Sequence, residues 1–187
     1  MTSLRLKGLT FGLALLCHAA PSAAWELDGT RTIFMHTREG GEVQVGTVTF
    51  TPAGETVRFA LALDHAKFTD YFLSMKEFKC LEGQGEVQCH VPYPYPHAGT
   101  VTRTDLRWLE HALLFLFKTQ KEFGARLWNG LYYQLEVTDD GLVGTPQAID
   151  LNLISAPPED TTVPPYGTHE RSEIDPQSRW FSGLRIR

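Results

Sequence analysis

Basic residues are in short supply in this chain. Over 187 residues, 17 lysines and arginines stand against 22 aspartates and glutamates, a net charge of −5. A nucleic-acid binder normally carries a basic footprint, so this balance sets that class aside. Long apolar runs are also missing. The run at Leu9–Leu16 has about eight residues, where a helix needs roughly 20 to span a bilayer. There is no low-complexity tract, heptad run or internal repeat, which argues against disordered and fibrous classes. Cysteine is scarce, at three. No Gly-x-Ser-x-Gly, His-Glu-x-x-His or calcium-loop pattern occurs.

What the N-terminus holds is an address. Arg5 and Lys7 give a positive start, Leu9–Leu16 an apolar stretch, and Ala19–Ala24 a run of small residues broken by Pro21. Ser22 and Ala24 fit the small-x-small cleavage pattern, so residues 1–24 read as a signal peptide. Cys17 is a poor lipid anchor, with Leu15-Leu16 before it and His18 after it. Cleavage leaves 163 of the 187 residues, one domain's worth of chain. Losing Arg5 and Lys7 takes the basic count from 17 to 15 against 22 acids, a net charge of −7. No transmembrane anchor is expected once the signal is gone, and the location implied is periplasmic or extracellular.

Two cysteines then remain, Cys80 and Cys89, and an even count in an exported protein points to a disulfide. The hairpin register that opposes them places Gly83 across from Glu86, with Gln84-Gly85 as a two-residue loop. Glycine there supplies the positive φ that tight hairpin turns require. Counting outward, 80:89 is a non-hydrogen-bonded pair, with Cα atoms about 4.5 Å apart and within disulfide reach. A redox pair, haem attachment or zinc site would need closer spacing or further ligands.

Most of the mature chain has period two. Val57, Phe59, Leu61 and Leu63 alternate, as do Leu131, Tyr133, Leu135 and Val137, which Asp139-Asp140-Gly141 turns back toward Ile149. Val43 and Val45 lie on one parity and Val48 and Phe50 on the other, so a bulge is expected at Gly46. Tyr71, Leu73 and Met75 change parity before Phe78 and Cys80, which predicts a kink near Lys76-Glu77. One segment is helical in pattern: Leu106, Leu109, Leu113, Leu116 and Phe117 predict an amphipathic helix at about 105–118, capped by Thr104. The fold class expected is mainly β, an antiparallel meander or small β-barrel with one amphipathic helix. Trp25 and Gly29 open the first strand, though not in the lipocalin Gly-x-Trp spacing, and a calycin-like barrel is one closed form of such a meander. Residues 25–155 form this β-rich domain. Residues 156–187 are a Pro-rich extended tail whose Trp180, Phe181, Leu184 and Ile186 suit docking as a last strand.

The candidate binding residues come from two aromatic concentrations. In His90-Val91-Pro92-Tyr93-Pro94-Tyr95-Pro96-His97, alternating prolines hold the backbone extended, so Tyr93 and Tyr95 are displayed from a stiff loop flanked by His90 and His97. Stiff aromatic display costs little entropy on binding; the plainer role is a connector covering the core edge. Trp128 and Tyr132 form the second concentration, with Tyr132 expected to face outward beside Gln134 and Glu136. No catalytic or metal residues are assigned. Asp64-His65 near Ser74 has triad residue types without evident geometry, and Asp150 and Asn152 are placed on one strand face. No cofactor is called for.

Together these features favour an exported, non-catalytic domain binding a small molecule or an envelope protein. An envelope hydrolase with a fold-assembled site, and an assembly factor using the tail as an arm, are the rival classes.

Overall fold

The computed structural model of the protein describes residues 25–73 and 76–187. The expected signal peptide, residues 1–24, lies outside them. Among the described residues twelve strands follow one another: β1 (Gly29–Thr37), β2 (Glu42–Ala53), β3 (Thr56–Leu63), β4 (Thr69–Leu73), β5 (Lys76–Glu82), β6 (Val87–His90), β7 (Thr100–Val101), β8 (Phe115–Lys118), β9 (Gly130–Thr138), β10 (Gly141–Ile149), β11 (Ser172–Glu173) and β12 (Phe181–Ile186). One α-helix, α1 (Arg107–Ala112), precedes β8. The strands form one antiparallel sheet in the order β4-β5-β6-β8-β9-β10-β12-β1-β2-β3-β7, with β11 beside β10. Among the described residues, no helix is long and apolar enough to cross a membrane.

The sheet is not closed, which corrects the barrel and calycin-like expectations. β3 and β4 are consecutive in the chain yet lie toward opposite ends of the sheet. Between them the backbone bonds locally, in a 3-10 turn over His65–Lys67, where Asp64 Oδ1 accepts the Ala66 N–H. Phe68 then turns into the core.

Hydrophobic patterning accounts for most of the register. β1 pairs with β2 as Ile33↔Gly46 and then Phe34↔Gln44, so Val45 is an extra residue, and the expected bulge is present. It brings Val43, Val45, Val48 and Phe50 into one core despite their change of parity. Gly46 is needed there, because a Cβ would stand 2.5 Å from the Ala62 carbonyl oxygen. The parity change after Leu73 has a different cause from the expected kink. Leu73 pairs with Lys76, so the chain reverses direction between β4 and β5.

The stapled hairpin has the expected register: Cys80↔Cys89, Leu81↔Gln88 and Glu82↔Val87, with Gly83 N–H donating to the Glu86 carbonyl at 2.8 Å. Gly85 takes φ +75°, and the Cys80–Cys89 disulfide joins Cα atoms 3.9 Å apart. The hairpin tip is tied to the tail. Trp180 N–H donates to Glu86 Oε2 at 2.9 Å, Gln88 Nε2 to Glu86 Oε1 at 2.8 Å, and Tyr133 OH to Gln88 Oε1 at 2.9 Å.

The helix is shorter than its pattern implied. It spans six residues, after which Phe115–Lys118 extends into β8 between β6 and β9. Helix propensity differs among these residues by only tenths of a kcal/mol, so pairing on both strand edges decides the outcome. Thr104 does not cap the helix. Leu106 occupies the N-cap without a side-chain bond, and Asp105 Oδ1 accepts from Arg107 N at 3.1 Å.

Two apolar clusters result. Strand residues including Ile33, Met35, Phe115, Leu131 and Tyr133 form the main core with Leu106, Leu109 and Leu113 of α1. The opposite side of the sheet carries a second cluster containing the disulfide, Tyr93, Trp108, Tyr132, Leu151 and Tyr166. β9 is therefore covered on both faces, and Leu131, Tyr132 and Tyr133 are all fully buried. This corrects the outward placement of Tyr132. The tail does not leave the body: Tyr166 is buried, and β12 lies between β10 and β1.

Candidate functional site

The Pro-rich loop runs along α1. Val91 N–H donates to the Leu114 carbonyl at 2.9 Å and Tyr93 N–H to the His111 carbonyl at 3.0 Å. Prolines at 92, 94 and 96 have no N–H to place, so Val91 and Tyr93 bond inward while Pro92, Pro94 and Pro96 are exposed. That geometry buries Tyr93 instead of displaying it. Its ring lies 5.5 Å from Tyr95, 5.7 Å from Trp108 and 5.9 Å from His111. Its hydroxyl is buried without a hydrogen-bond partner among the described residues. His97 stacks on Trp108 at 5.2 Å and accepts the Gly99 N–H on Nδ1 at 3.0 Å. Desolvation against these rings lowers its pKa.

His90 begins the loop and faces a different space. With Phe78, Val91, Pro92, Pro94, Leu127, Leu151 and Ile154 it lines an apolar cleft of about 420 Å³, which Glu77, Lys79 and Ser155 also border. A carbonyl only accepts, so His90 Nε2 carries the proton it donates to Ala112 O at 2.8 Å. Burial lowers the His90 pKa and holds the ring neutral. Of the six binding candidates, the fold packs Tyr93, Tyr95 and His97 together, whereas His90 lines the cleft. Trp128 is exposed, next in the chain to the cleft residue Leu127, and Tyr132 lies in the second core.

A buried polar network that sequence reasoning missed joins α1 to β9 and the tail. Glu110, only 4% exposed, accepts the Tyr132 hydroxyl on Oε2 and the Leu135 backbone N–H on Oε1, the latter at 2.7 Å. Burial outweighs these bonds and holds its carboxyl above the usual range. His111 donates from Nδ1 to the Arg107 carbonyl at 2.7 Å and accepts the Tyr166 N–H on Nε2 at 3.1 Å. Both nitrogens are committed, and burial lowers its pKa to about 4. Tyr166 OH in turn donates to the Asp150 carbonyl at 3.0 Å. The signal for this network is Glu110-His111 inside the apolar run from Leu106 to Phe117. A charged pair in such a run must find buried partners or leave the core.

A second, polar cleft of about 700 Å³ opens between the residues preceding α1 and β9. Arg103, Asp105, Arg107 and Glu110 line one side, Gln134–Val137 another, and Arg171 a third. Among the described residues, no group of three or more His, Cys, Asp or Glu is arranged to hold a metal. Asp64 serves its own 3-10 turn. Asp150 and Asn152 are not strand partners on one face, because Asp150 Oδ1 caps the 3-10 turn Leu151–Ile154 by accepting the Asn152 N–H at 2.9 Å.

No protein-family model, curated protein or solved structure matches this chain.

Proposed function

We propose that the protein is an exported, non-catalytic binding domain that holds a small, mainly apolar molecule in the cleft beside the Pro-rich loop. One observation carries this reading: seven apolar side chains and one neutral histidine line about 420 Å³. Small-molecule sites have this character, a few hundred cubic ångströms of apolar wall with few polar groups. The prolines stiffen one wall before any ligand arrives, which reduces the ordering cost of binding. His90 Nδ1 has no hydrogen-bond partner among the described residues, so it suits a ligand hydroxyl. The stapled hairpin fits an oxidising compartment. Against a hydrolase stands the commitment of both His111 nitrogens to structural bonds. Against a free assembly arm stands the central position of β12.

Titration with the neutral fluorophore N-phenyl-1-naphthylamine tests the site. Saturable one-to-one binding is expected, and Ser155→Trp, which fills the cleft from its exposed rim, should abolish it. Phe123→Ser, which removes an exposed aromatic elsewhere, should leave it unchanged. Fluorophore binding that survives Ser155→Trp in a folded protein would overturn the assignment.

A further inference from the structure

The polar cleft beside α1 carries a separate conclusion. We infer that it binds an oxyanion, a carboxylate or phosphoryl group of a small ligand, through Arg103 and Arg171. Three guanidinium groups converge on it, and each is held by part of its donor set. Arg103 Nη1 donates to the Trp25 carbonyl at 2.5 Å. Arg171 Nε donates to the Gly167 carbonyl at 2.9 Å, with its guanidinium 4.7 Å above the Tyr132 ring. Arg107 differs, because Nε and Nη2 take both oxygens of Asp105 at 2.9 and 2.7 Å. That pair is already neutral as a unit. Arg103 is held by a carbonyl, and Arg171 by a carbonyl and a ring with the Glu110 carboxyl in electrostatic reach; neither makes an ion pair among the described residues, and their remaining N–H donors have no partner there.

The acids in the cleft do not take up these donors. Asp105 belongs to Arg107, and Glu110 is turned into the sheet, accepting from Tyr132 and Leu135. Glu136 is exposed at the far wall. The strand edge adds a donor. Thr138 pairs with Gly141 across a tight turn, so alternate residues Leu135 and Val137 direct their backbone groups away from β10. Glu110 takes the Leu135 N–H, while the Val137 N–H is left facing the cleft side. Pre-positioned guanidinium forks and a backbone N–H match the planar oxygens of a carboxylate or the face of a phosphoryl group.

Isothermal titration calorimetry at low ionic strength with inorganic phosphate, and separately with succinate, tests this. Saturable one-to-one binding of at least one anion is expected, and which of them binds identifies the group. Arg103→Gln should weaken it about tenfold or more, the loss of a charged hydrogen bond. Arg103 is exposed, so that variant should fold normally, and Arg103→Lys should recover part of the affinity. Arg58→Gln removes the same charge from exposed β3 and should have no effect. Arg171→Gln should act as Arg103→Gln does, with folding checked by circular dichroism because Arg171 lies over Tyr132. Failure of both anions to bind, or equal weakening by Arg58→Gln and Arg103→Gln, would overturn the inference.

Discussion

Glu110 Oε1 lies 2.7 Å from the backbone nitrogen of Leu135, so a helix side chain caps the edge of a strand. β8 pairs with β9 only at Phe115↔Leu131 and Leu116↔Gly130, and beyond that point β9 lacks a ladder partner on this edge. A buried N–H left there would cost about 1–3 kcal/mol. Glu110 removes that cost, and burial of Leu106, Leu109 and Leu113 offsets the desolvation of its carboxyl.

Glu110→Ala should therefore destabilise the protein by about 2–4 kcal/mol, because the Leu135 N–H and the Tyr132 hydroxyl both lose their acceptor. Glu110→Gln, which retains an acceptor oxygen, should cost less. Urea unfolding with circular dichroism measures both. Equal stability of wild type and Glu110→Ala would show that the strand edge is covered by something else.

The two neighbours on α1 make opposite pH contributions. His111 has its pKa lowered from 6.5 to about 4, so its neutral form is the one the fold prefers. Its contribution is fully present above pH 6.5 and is lost as pH falls toward 4, a change of about 3 kcal/mol. Glu110 is raised above 4.5, so its contribution is present below that value and is lost as pH rises through its folded pKa. Unfolding free energies across this range should flatten at the acid end in His111→Asn. They should lose their upper-range decline in Glu110→Gln. Wild-type slopes in either variant would contradict the assignment.

Reducing the staple should weaken the hairpin without removing the sheet. The loop closed by Cys80 and Cys89 is short, so Cys80→Ala/Cys89→Ala should cost at most about 2–3 kcal/mol. Non-reducing intact-mass measurement should find the oxidised protein two hydrogens lighter than the reduced one. Free thiols in native material would exclude the bridge.

A methyl group at Gly83 would stand 2.1 Å from Trp180 Cδ1. The Trp180 backbone cannot shift freely, since its N–H is bound to Glu86 and its carbonyl accepts the Arg38 N–H at 2.8 Å, and the Arg38 guanidinium lies 5.9 Å from the ring. Gly83→Ala should cost about 1–3 kcal/mol, the usual range for overpacking. The cost should shrink in a Trp180→Leu background. A double-mutant cycle by urea unfolding reads this coupling, and additive effects would show that the ring is not the obstacle.

Local patterns were readable where one face of a strand meets one core. The bulge at Gly46 followed from a parity change, and the hairpin register from two cysteines and a glycine turn. The same patterns misled where tertiary contacts decide. Phe115–Lys118 continues the helical spacing but is claimed as a strand by β6 on one edge and, at Phe115 and Leu116, by β9 on the other. Tyr132 alternates outward on a two-sided view, yet the returning tail, with Tyr166, covers that face. The clefts draw on residues far apart in sequence, such as Arg103 with Arg171 and His90 with Ile154. No local window contains such a pairing. His90 stood out because it adjoins an unusual proline repeat, whereas Arg171 sits in a tail with no pattern to mark it.

The place of β12 has a bearing on timing. Ile186 pairs with Ile33 on one side and Leu142 on the other, so the last strand joins the β1–β3 portion to the rest of the sheet. Until β12 is in place these two portions share no ladder, so strands from distant parts of the chain must meet before the sheet is continuous. Contacts of such wide sequence separation form slowly, which makes the docking of β12 the late step in assembling the sheet.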